Sequence, residues 1–454
     1  MATEVMAAVT ADMAVAGETI RTIMRGTSPT IPMPPRMKTS PLRRNVRRMT
    51  GGHEMQRPAI LILNAGSSSL KFALFDAEQA GARFAGGGVS GIGTDTARFN
   101  LTVTGNAKGV ERDGAFPDHR TALDAVMSEV NSNRLAALPV AVGHRVAHGG
   151  PDCDCPEEVT PDLLARLRGL VPLAPLHLPA NIAGIEAIAA LRPDLPQIAC
   201  FDTAFHNGLP RVAQMTGLPR EIETPELRRY GYHGLSYEYI VGALTQDGVN
   251  VDKERLIVAH LGNGASLAAI RGGRSIETTM GFSPISGVPM GTRSGDIDPG
   301  LILHLLREAA MSPADLGNLL RTRSGLLGLS GESRDMGVLI ERHDAAAAEA
   351  IRYFCYHVRR HLVALTAPLE GLDRLVFTGG IGANAAPVRE LICAGLGYLG
   401  VGIDHEANLA GSKAISAAGS RAIVEVRQTD EEQVIADHVA RLCTECASGR
   451  KEAS

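Results

Sequence analysis

No apolar run in the 454-residue chain approaches the roughly 20 residues needed to cross a bilayer, which argues against a membrane span. Cysteine is also too sparse for a secreted disulfide framework at this length. The seven that occur (Cys153, Cys155, Cys200, Cys355, Cys393, Cys443 and Cys446) are an odd set, and predict reduced thiols in a cytoplasm. Cys443 and Cys446 have metal-ligand spacing but no partner pair elsewhere, so an incidental CxxC on a C-terminal helix is expected. Basic excess is missing too. Nine Lys/Arg against four Asp/Glu fall within residues 1–57, leaving 36 basic and 45 acidic residues for the body, a balance that disfavours nucleic-acid binding. What is present is a composition of 44% hydrophobic and 21% charged residues, enough at this length for two substantial cores.

Residues 1–57 differ in kind from the rest. They hold eight of the fourteen methionines, the proline-rich stretch Pro29 to Pro41 and the basic cluster Arg43-Arg44-Asn45-Val46-Arg47-Arg48, and are expected to be a disordered extension. Glu4, Asp12 and Glu18 argue against an organellar transit peptide, and the apolar part lacks the layout of a secretory signal. A third reading is that translation starts at Met55, close before the first strand.

The most informative stretch is Asn64-Ala65-Gly66-Ser67-Ser68-Ser69-Leu70-Lys71, between the apolar run Ile60-Leu61-Ile62-Leu63 and the alternating Phe72-Ala73-Leu74. Apolar residues stop at a glycine and three hydroxyls and then resume, which predicts strand, tight polar turn and strand. Small side chains let backbone N–H groups approach an anion, the hydroxyls donate, and Lys71 adds positive charge. A similar design recurs where Ile257-Val258-Ala259-His260 meets Leu261-Gly262-Asn263-Gly264-Ala265-Ser266, with one extra residue in the turn. Two such hairpins suggest internal duplication and a nucleoside triphosphate gripped from both sides of a cleft.

Further strand ends carry polar residues, where chemistry gathers in α/β proteins. Val140 to Val142 runs into Gly143-His144-Arg145-Val146-Ala147-His148-Gly149-Gly150, and Ile198 to Phe201 into Asp202-Thr203-Ala204-Phe205-His206. Taken singly, Arg145 is equally well a surface ion pair and Asp202 a helix cap. Glycines and short polar residues surround His233 in Tyr230-Gly231-Tyr232-His233-Gly234-Leu235-Ser236, and Arg293 in Met290-Gly291-Thr292-Arg293-Ser294-Gly295-Asp296, implying backbone crowding around a ligand. A third glycine-rich junction, Thr378-Gly379-Gly380-Ile381-Gly382-Ala383-Asn384, reads as a strand entering a turn before a helix over 386–396, with bare backbone for the nucleoside end of a nucleotide.

Together LNAGSSSLKF, GHRVAHGG, LAPLHLPANI, FDTAFH, YGYHGLS, AHLGNGAS, MGTRSGDIDPG, FTGGIGAN and TDEE make the chain resemble the acetate kinase family of short-chain carboxylate kinases from Ala59 to about residue 440. The resemblance implies an α/β, duplicated ribonuclease H-like two-lobed fold, shared with sugar kinases, actin and heat-shock ATPases. It implies a cytoplasmic homodimer that uses ATP, Mg²⁺ (with Mn²⁺ tolerated) and acetate, and reversibly transfers the γ-phosphoryl group to give acetyl phosphate and ADP. The expected organisation is a first lobe over 58–206 completed by a C-terminal helix within 432–454, and a second lobe over 207–431.

Roles carry over position by position. The resemblance gives Asn64 and Glu431 to the magnesium site and Lys71 to the first phosphate hairpin. His260, Leu261, Gly262, Asn263 and Gly264 fall to the second. Arg145 matches the residue holding the acceptor carboxylate, Asp202 the active-site carboxylate, and His233 and Arg293 the transition-state stabilisers. Asp335, Met336 and Gly337, with Gly380, Ile381, Gly382, Ala383 and Asn384, match segments around adenosine. Ala147, Leu176, Tyr232 and Pro284 match the small apolar acceptor pocket. Departures from the family pattern are Ala147 for valine, Tyr232 for phenylalanine, Gly337 for arginine, Ala383 for glutamate and Leu178 for asparagine. Kinases for propionate or butyrate, and a non-catalytic nucleotide-binding module, are the alternative readings.

The chemistry suits these residue types. A carboxylate acceptor, with a pKa of about 4.3, is already ionised and needs little general-base help. Its difficulty is repulsion from a polyanionic phosphate, which calls for guanidinium forks and a metal ion to grip both reactants.

Overall fold

The computed structural model describes residues 57–452 other than 79–80, 106–108 and 133–134, with side chains described as far as residue 443. The expected disordered extension therefore lies outside the described residues, except for Arg57. That residue opens the first strand instead: its N–H donates to Ala136 O at 2.7 Å, and its guanidinium pairs with Asp76 at 2.7 Å and lies 4.1 Å over the Phe84 ring. Among the described residues no helix is long and apolar enough to cross a membrane.

Two sheets organise the chain. The first contains β1 (Arg57–Gly66), β2 (Ser69–Asp76), β3 (Arg83–Ser90), β4 (Arg98–Val103), β5 (Val110–Asp113), β6 (Ala137–Val146), β7 (Glu157–Glu158) and β8 (Gln197–Phe201), in the order β5-β4-β3-β2-β1-β6-β8-β7. The second contains β9 (Leu256–Leu261), β10 (Ala265–Arg271), β11 (Arg274–Thr278), β12 (Arg374–Thr378) and β13 (Ile423–Val426), in the order β11-β10-β9-β12-β13. Both repeat one topology. In β3-β2-β1-β6-β8, as in β11-β10-β9-β12-β13, the first three strands are antiparallel and the last three parallel. This is the ribonuclease H-like order twice over, and the duplication inferred from two glycine-rich turns is a duplication of whole sheets.

Central strands read as continuous apolar runs because both faces are covered. On β1, Leu61 and Leu63 join Phe72, Leu74 and Phe99 beneath the helix His119–Val130, while Ile60 and Ile62 join Ala73, Phe75 and the helix Glu431–Glu452 through Val434, Ile435 and Val439. In the second sheet, Ile257, Ala259, Leu375 and Phe377 pack against the helix Ala345–Leu369 through Phe354, Val358 and Leu362. Val258, Ile270 and Val376 face Tyr237, Ile240 and Leu244 of the helix Gly234–Gln246. The 431–452 and 234–246 helices thus lie on facing sides of the two sheets, joined by the His438–Glu238 pair at 2.8 Å. Chain that leaves the second sheet after β13 returns to the first.

Both hairpin turns form as expected. Gly66 pairs with Ser69 across the first, and Leu261 with Ala265 across the second. The third glycine-rich junction differs from expectation: 379–384 is a short helix rather than an open turn, and the next helix stops at Cys393. Gly379, at φ +78°, lets the chain reverse so tightly that a Cβ would lie 2.6 Å from Leu261 O, and Thr378 caps the helix in extended conformation. The 431–452 helix approaches β6 with similar closeness. A Cβ on Gly143 would lie 2.5 Å from Ile435, 2.9 Å from Ile62 and 2.9 Å from Val439. Gly143→Ala is therefore expected to lower stability by about 1–3 kcal/mol through overpacking, read as a lower urea midpoint, and an unchanged midpoint would show that this helix does not seat there.

Candidate active site

The strand ends bring Asn64, Arg145, Asp202 and Glu431 together. Arg145, near the end of β6, meets Asp202, just past β8, in a two-pronged pair: Nε donates to Oδ1 at 3.0 Å and the Nη2 to Oδ2 distance is 2.5 Å. The parallel pairing of β6 with β8, in register from Val142 opposite Gln197 to Val146 opposite Phe201, sets the two side by side. Arg145 also reaches Asn64 Oδ1 of the first hairpin at 3.4 Å and Glu431 at the start of the C-terminal helix at 3.4 Å. Its Nε and Nη2 are thus taken up by protein carboxylates. Burial first, then Glu431, push the Asp202 carboxyl above the usual carboxylate range, against the pull of Arg145. The converging oxygens of Asn64, Asp202 and Glu431 are hard donors of the kind Mg²⁺ takes, and one or two carboxylates are what it ordinarily uses. Lys71, directly opposite Asn64 in the hairpin, is exposed.

The second hairpin carries the other half. His233 caps the helix Gly234–Gln246 with φ +61°, a left-handed conformation uncommon for a side-chain-bearing residue. The Gly234 N–H donates to Asp202 O at 2.8 Å, tying that turn to the first lobe. The His233 ring stacks on His260 of β9, with centroids 4.3 Å apart and planes inclined by 22°. A Cβ on Gly264 would lie 3.2 Å from His233 Nε2 and 3.7 Å from Arg293 Nη1, so ring and guanidinium converge on the bare backbone of this turn. Arg293 is held there by donating to Pro284 O at 3.0 Å, and among the described residues no carboxylate pairs with it. Burial, then His260, Arg145 and Arg293, drive the His233 pKa well below its usual value, and burial also lowers that of His260. Burial thus favours the neutral form of both rings in the free protein.

Of the residues matched to an acceptor pocket, Pro284 and Tyr232 lie by Arg293. Tyr232 is buried, its hydroxyl donates to Phe282 O at 3.1 Å, and its ring stands 5.9 Å from that of His148, next to Ala147. The hydroxyl that distinguishes Tyr232 from phenylalanine is thereby tied to backbone. Leu176 is 45% exposed, and Leu178 is fully buried among Val146, Ile182 and Phe201. In the segments matched to adenosine by the resemblance, Asp335 caps the helix Met336–Glu341 by accepting from Val338 N at 3.1 Å, Met336 is buried in the second-sheet core, and Gly337 is exposed. Gly380 and Asn384 are exposed, Ile381 is half-buried, and Gly382 and Ala383 face inward at the end of β9, where a Cβ on Gly262 would lie 3.8 Å from Gly380 N. Arg389, itself buried, donates to the carbonyls of Gly382 and Ala383 at 3.0 Å each, fixing this short helix.

Some residues of the site lie within the motifs but carry no role that sequence reasoning assigns. His177 is one: burial and both Arg293 and Arg145 lower its pKa to about 4, so it lies near the two guanidiniums. Asn181 is another, accepting from Ala147 N at 3.0 Å and donating to Ala65 O at 2.7 Å, which couples β6 to the first hairpin. Only the motif LAPLHLPANI, lying between two strand ends, hints at either.

Residues 59–437 match the acetokinase family. An acetate kinase of Rhodopseudomonas palustris is 46% identical over 392 residues, covering 84% of this chain and 98% of that protein. One of Streptomyces coelicolor is 41% identical over 407 residues, covering 86% and 98%. Among solved structures, Porphyromonas gingivalis acetate kinase superposes with a TM-score of 0.79 at 35% identity over 85% of this chain and 100% of that one. A propionate kinase from Francisella tularensis superposes at 0.80 with 34% identity, over 85% and 99%. With matches of this extent in both sequence and fold, the chain belongs to the acetokinase family.

Proposed function

We propose that this chain is an acetate kinase, transferring the γ-phosphoryl group of ATP in line to acetate to give acetyl phosphate and ADP, and the reverse. The observation that carries this reading is the convergence of His233 Nε2 and Arg293 on the Gly264 backbone, with Arg145, Asp202 and Glu431 in the same crevice. The acetate oxygen forms the new bond to phosphorus as the bond to the ADP oxygen breaks, and no proton need move. Arg293 carries the charge that draws the two anions together, and His233 adds a neutral donor. Arg145 orients Asp202 and Glu431, and offers its outer edge to the acceptor. Asn64, Asp202 and Glu431 would hold Mg²⁺ through water and phosphate, and the ion neutralises phosphate charge when bound. Adenosine lies over 380–384 and beside 335–337 in this reading, with lobes of 58–206 plus 432–454 and 207–431 closing on it.

A second copy of the chain is the proposed partner. The helix Pro299–Arg307 has no buried residue, and Leu301, Leu303, Tyr353 and Tyr356 are 45%, 50%, 38% and 62% exposed on the second lobe. Leu303→Glu is expected to convert a dimer to a monomer by light scattering, whereas a wild-type monomer would remove this part of the reading.

Hydroxylamine trapping of acyl phosphate tests the activity. Acetate is expected to give the strongest signal. Ala147→Val, filling the half-buried wall beside His148, should lower propionate turnover relative to acetate by a few-fold, since one buried methylene is worth about 0.8 kcal/mol. No signal with any short-chain acid, with ATP still bound, would mean a binding module instead.

The pH dependence follows from Asp202. Its raised pKa means it takes up a proton at a higher pH than an ordinary carboxyl, losing the charge that serves Arg145 and the metal. Activity is expected to decline on that acid limb, and higher Mg²⁺ should move the limb to lower pH by competing with the proton. A limb that ignores Mg²⁺ would assign it to another group.

A further inference from the structure

His233 and His260 are each engaged at Nδ1 by a buried serine. Ser266 Oγ lies 2.8 Å from His233 Nδ1, and Ser236 Oγ lies 2.8 Å from His260 Nδ1; both serines are fully buried. The exchange is reciprocal. His233 and Ser236 belong to the start of the helix Gly234–Gln246, whereas His260 and Ser266 face each other across β9 and β10. Each element thus contributes one imidazole and one hydroxyl, and each hydroxyl takes the other element's ring. Behind Ser266 stands Tyr237, fully buried, with its hydroxyl 2.5 Å from Ser266 Oγ. The free edges of the rings turn to the phosphate turn: a Cβ on Gly264 would be 3.2 Å from His233 Nε2, and one on Gly262 would be 4.0 Å from His260 Nε2.

We propose that Ser236 and Ser266, the latter backed by Tyr237, are positioning residues that lock His260 and His233 as Nε2–H tautomers, so that both rings present a donor to the nucleotide phosphates. This rests on the kinase reading, because ionised phosphate oxygens only accept. A neutral imidazole has one N–H, and the bond made by the other nitrogen decides where it sits. If Nε2 is to donate, Nδ1 must accept. Ser266 then donates to His233, and the Tyr237 hydroxyl donates to Ser266, a chain in which every proton has one direction. Ser236 donates to His260 in the same sense. The face-to-face stacking of the rings agrees, since two imidazolium ions 4.3 Å apart would repel. No other tautomer gives two donors to an anion without adding charge to the stack.

Nitrogen-15 spectra of the full chain labelled at histidine read this directly, with the two rings assigned from His233→Gln and His260→Gln. Both rings of the unsubstituted protein are expected to show a protonated Nε2 and a bare Nδ1 at neutral pH. Ser266→Ala should convert His233 alone to a mixture of tautomers, and Ser236→Ala should do so for His260 alone. Each should lower kcat about tenfold with the KM for ATP and acetate within about twofold, as loss of an orienting partner does elsewhere. Tyr237→Phe, which keeps the Ser266 hydroxyl but frees its direction, should give a smaller loss. A proton on Nδ1 or an imidazolium in the unsubstituted protein would overturn the proposal without any variant having to fold. So would alanine variants with unchanged spectra and kcat. The spectra need no turnover, so a chain that phosphorylated no carboxylate would count against the activity and leave the tautomer result standing.

Discussion

Charge balance in the crevice is the constraint on which the rest depends. Two negatively charged reactants must meet, yet the protein has neutralised most of the positive charge it brings there. Arg145 is taken up by Asp202 and reaches Glu431 as well, and both histidines are held neutral by burial and by the neighbouring guanidiniums. Arg293, anchored on a backbone carbonyl with no carboxylate partner among the described residues, is the half-buried cation left to act, alongside the exposed Lys71 of the first hairpin. Charge of this kind is effective because it is fixed in advance.

The fold supplies the fixing. Parallel pairing of β6 with β8 sets Arg145 beside Asp202, and the tight second hairpin presents bare backbone to Arg293 and His233. Helices 234–246 and 431–452 pack between the sheets, and each begins at the site, with His233 at one start and Glu431 at the other. Movement of one sheet against the other therefore alters the distance between the two halves of the crevice.

Much of this is legible in the amino-acid sequence. The hairpins announce themselves because the apolar runs of β1 and β9 break at glycine and resume at once, and the topology repeats accordingly. Strand ends carrying Arg145, Asp202 and His260 are recognisable for the same reason. Pairing is not legible. Arg145 and Asp202 are 57 residues apart, and nothing in either motif says that the guanidinium is satisfied by that carboxylate. His177, Ser236 and Ser266 sit inside the motifs yet look like ordinary small or polar residues, because their roles depend on which groups they meet. The segment 379–384 reads as a turn since glycine lowers helix propensity, whereas packing on the end of β9 and the Arg389 hydrogen bonds to Gly382 O and Ala383 O override it.

The most direct measurement is the pair of constants for Arg293→Ala: kcat for acetyl phosphate formation and the Kd for ATP. If Arg293 is the unpaired charge that the transferring group feels, kcat falls by about a thousandfold or more while ATP binding changes by no more than a few-fold, as for arginines that act on the transition state of phosphoryl transfer. A variant that turned over at the parent rate, or lost ATP binding in proportion to turnover, would contradict that assignment.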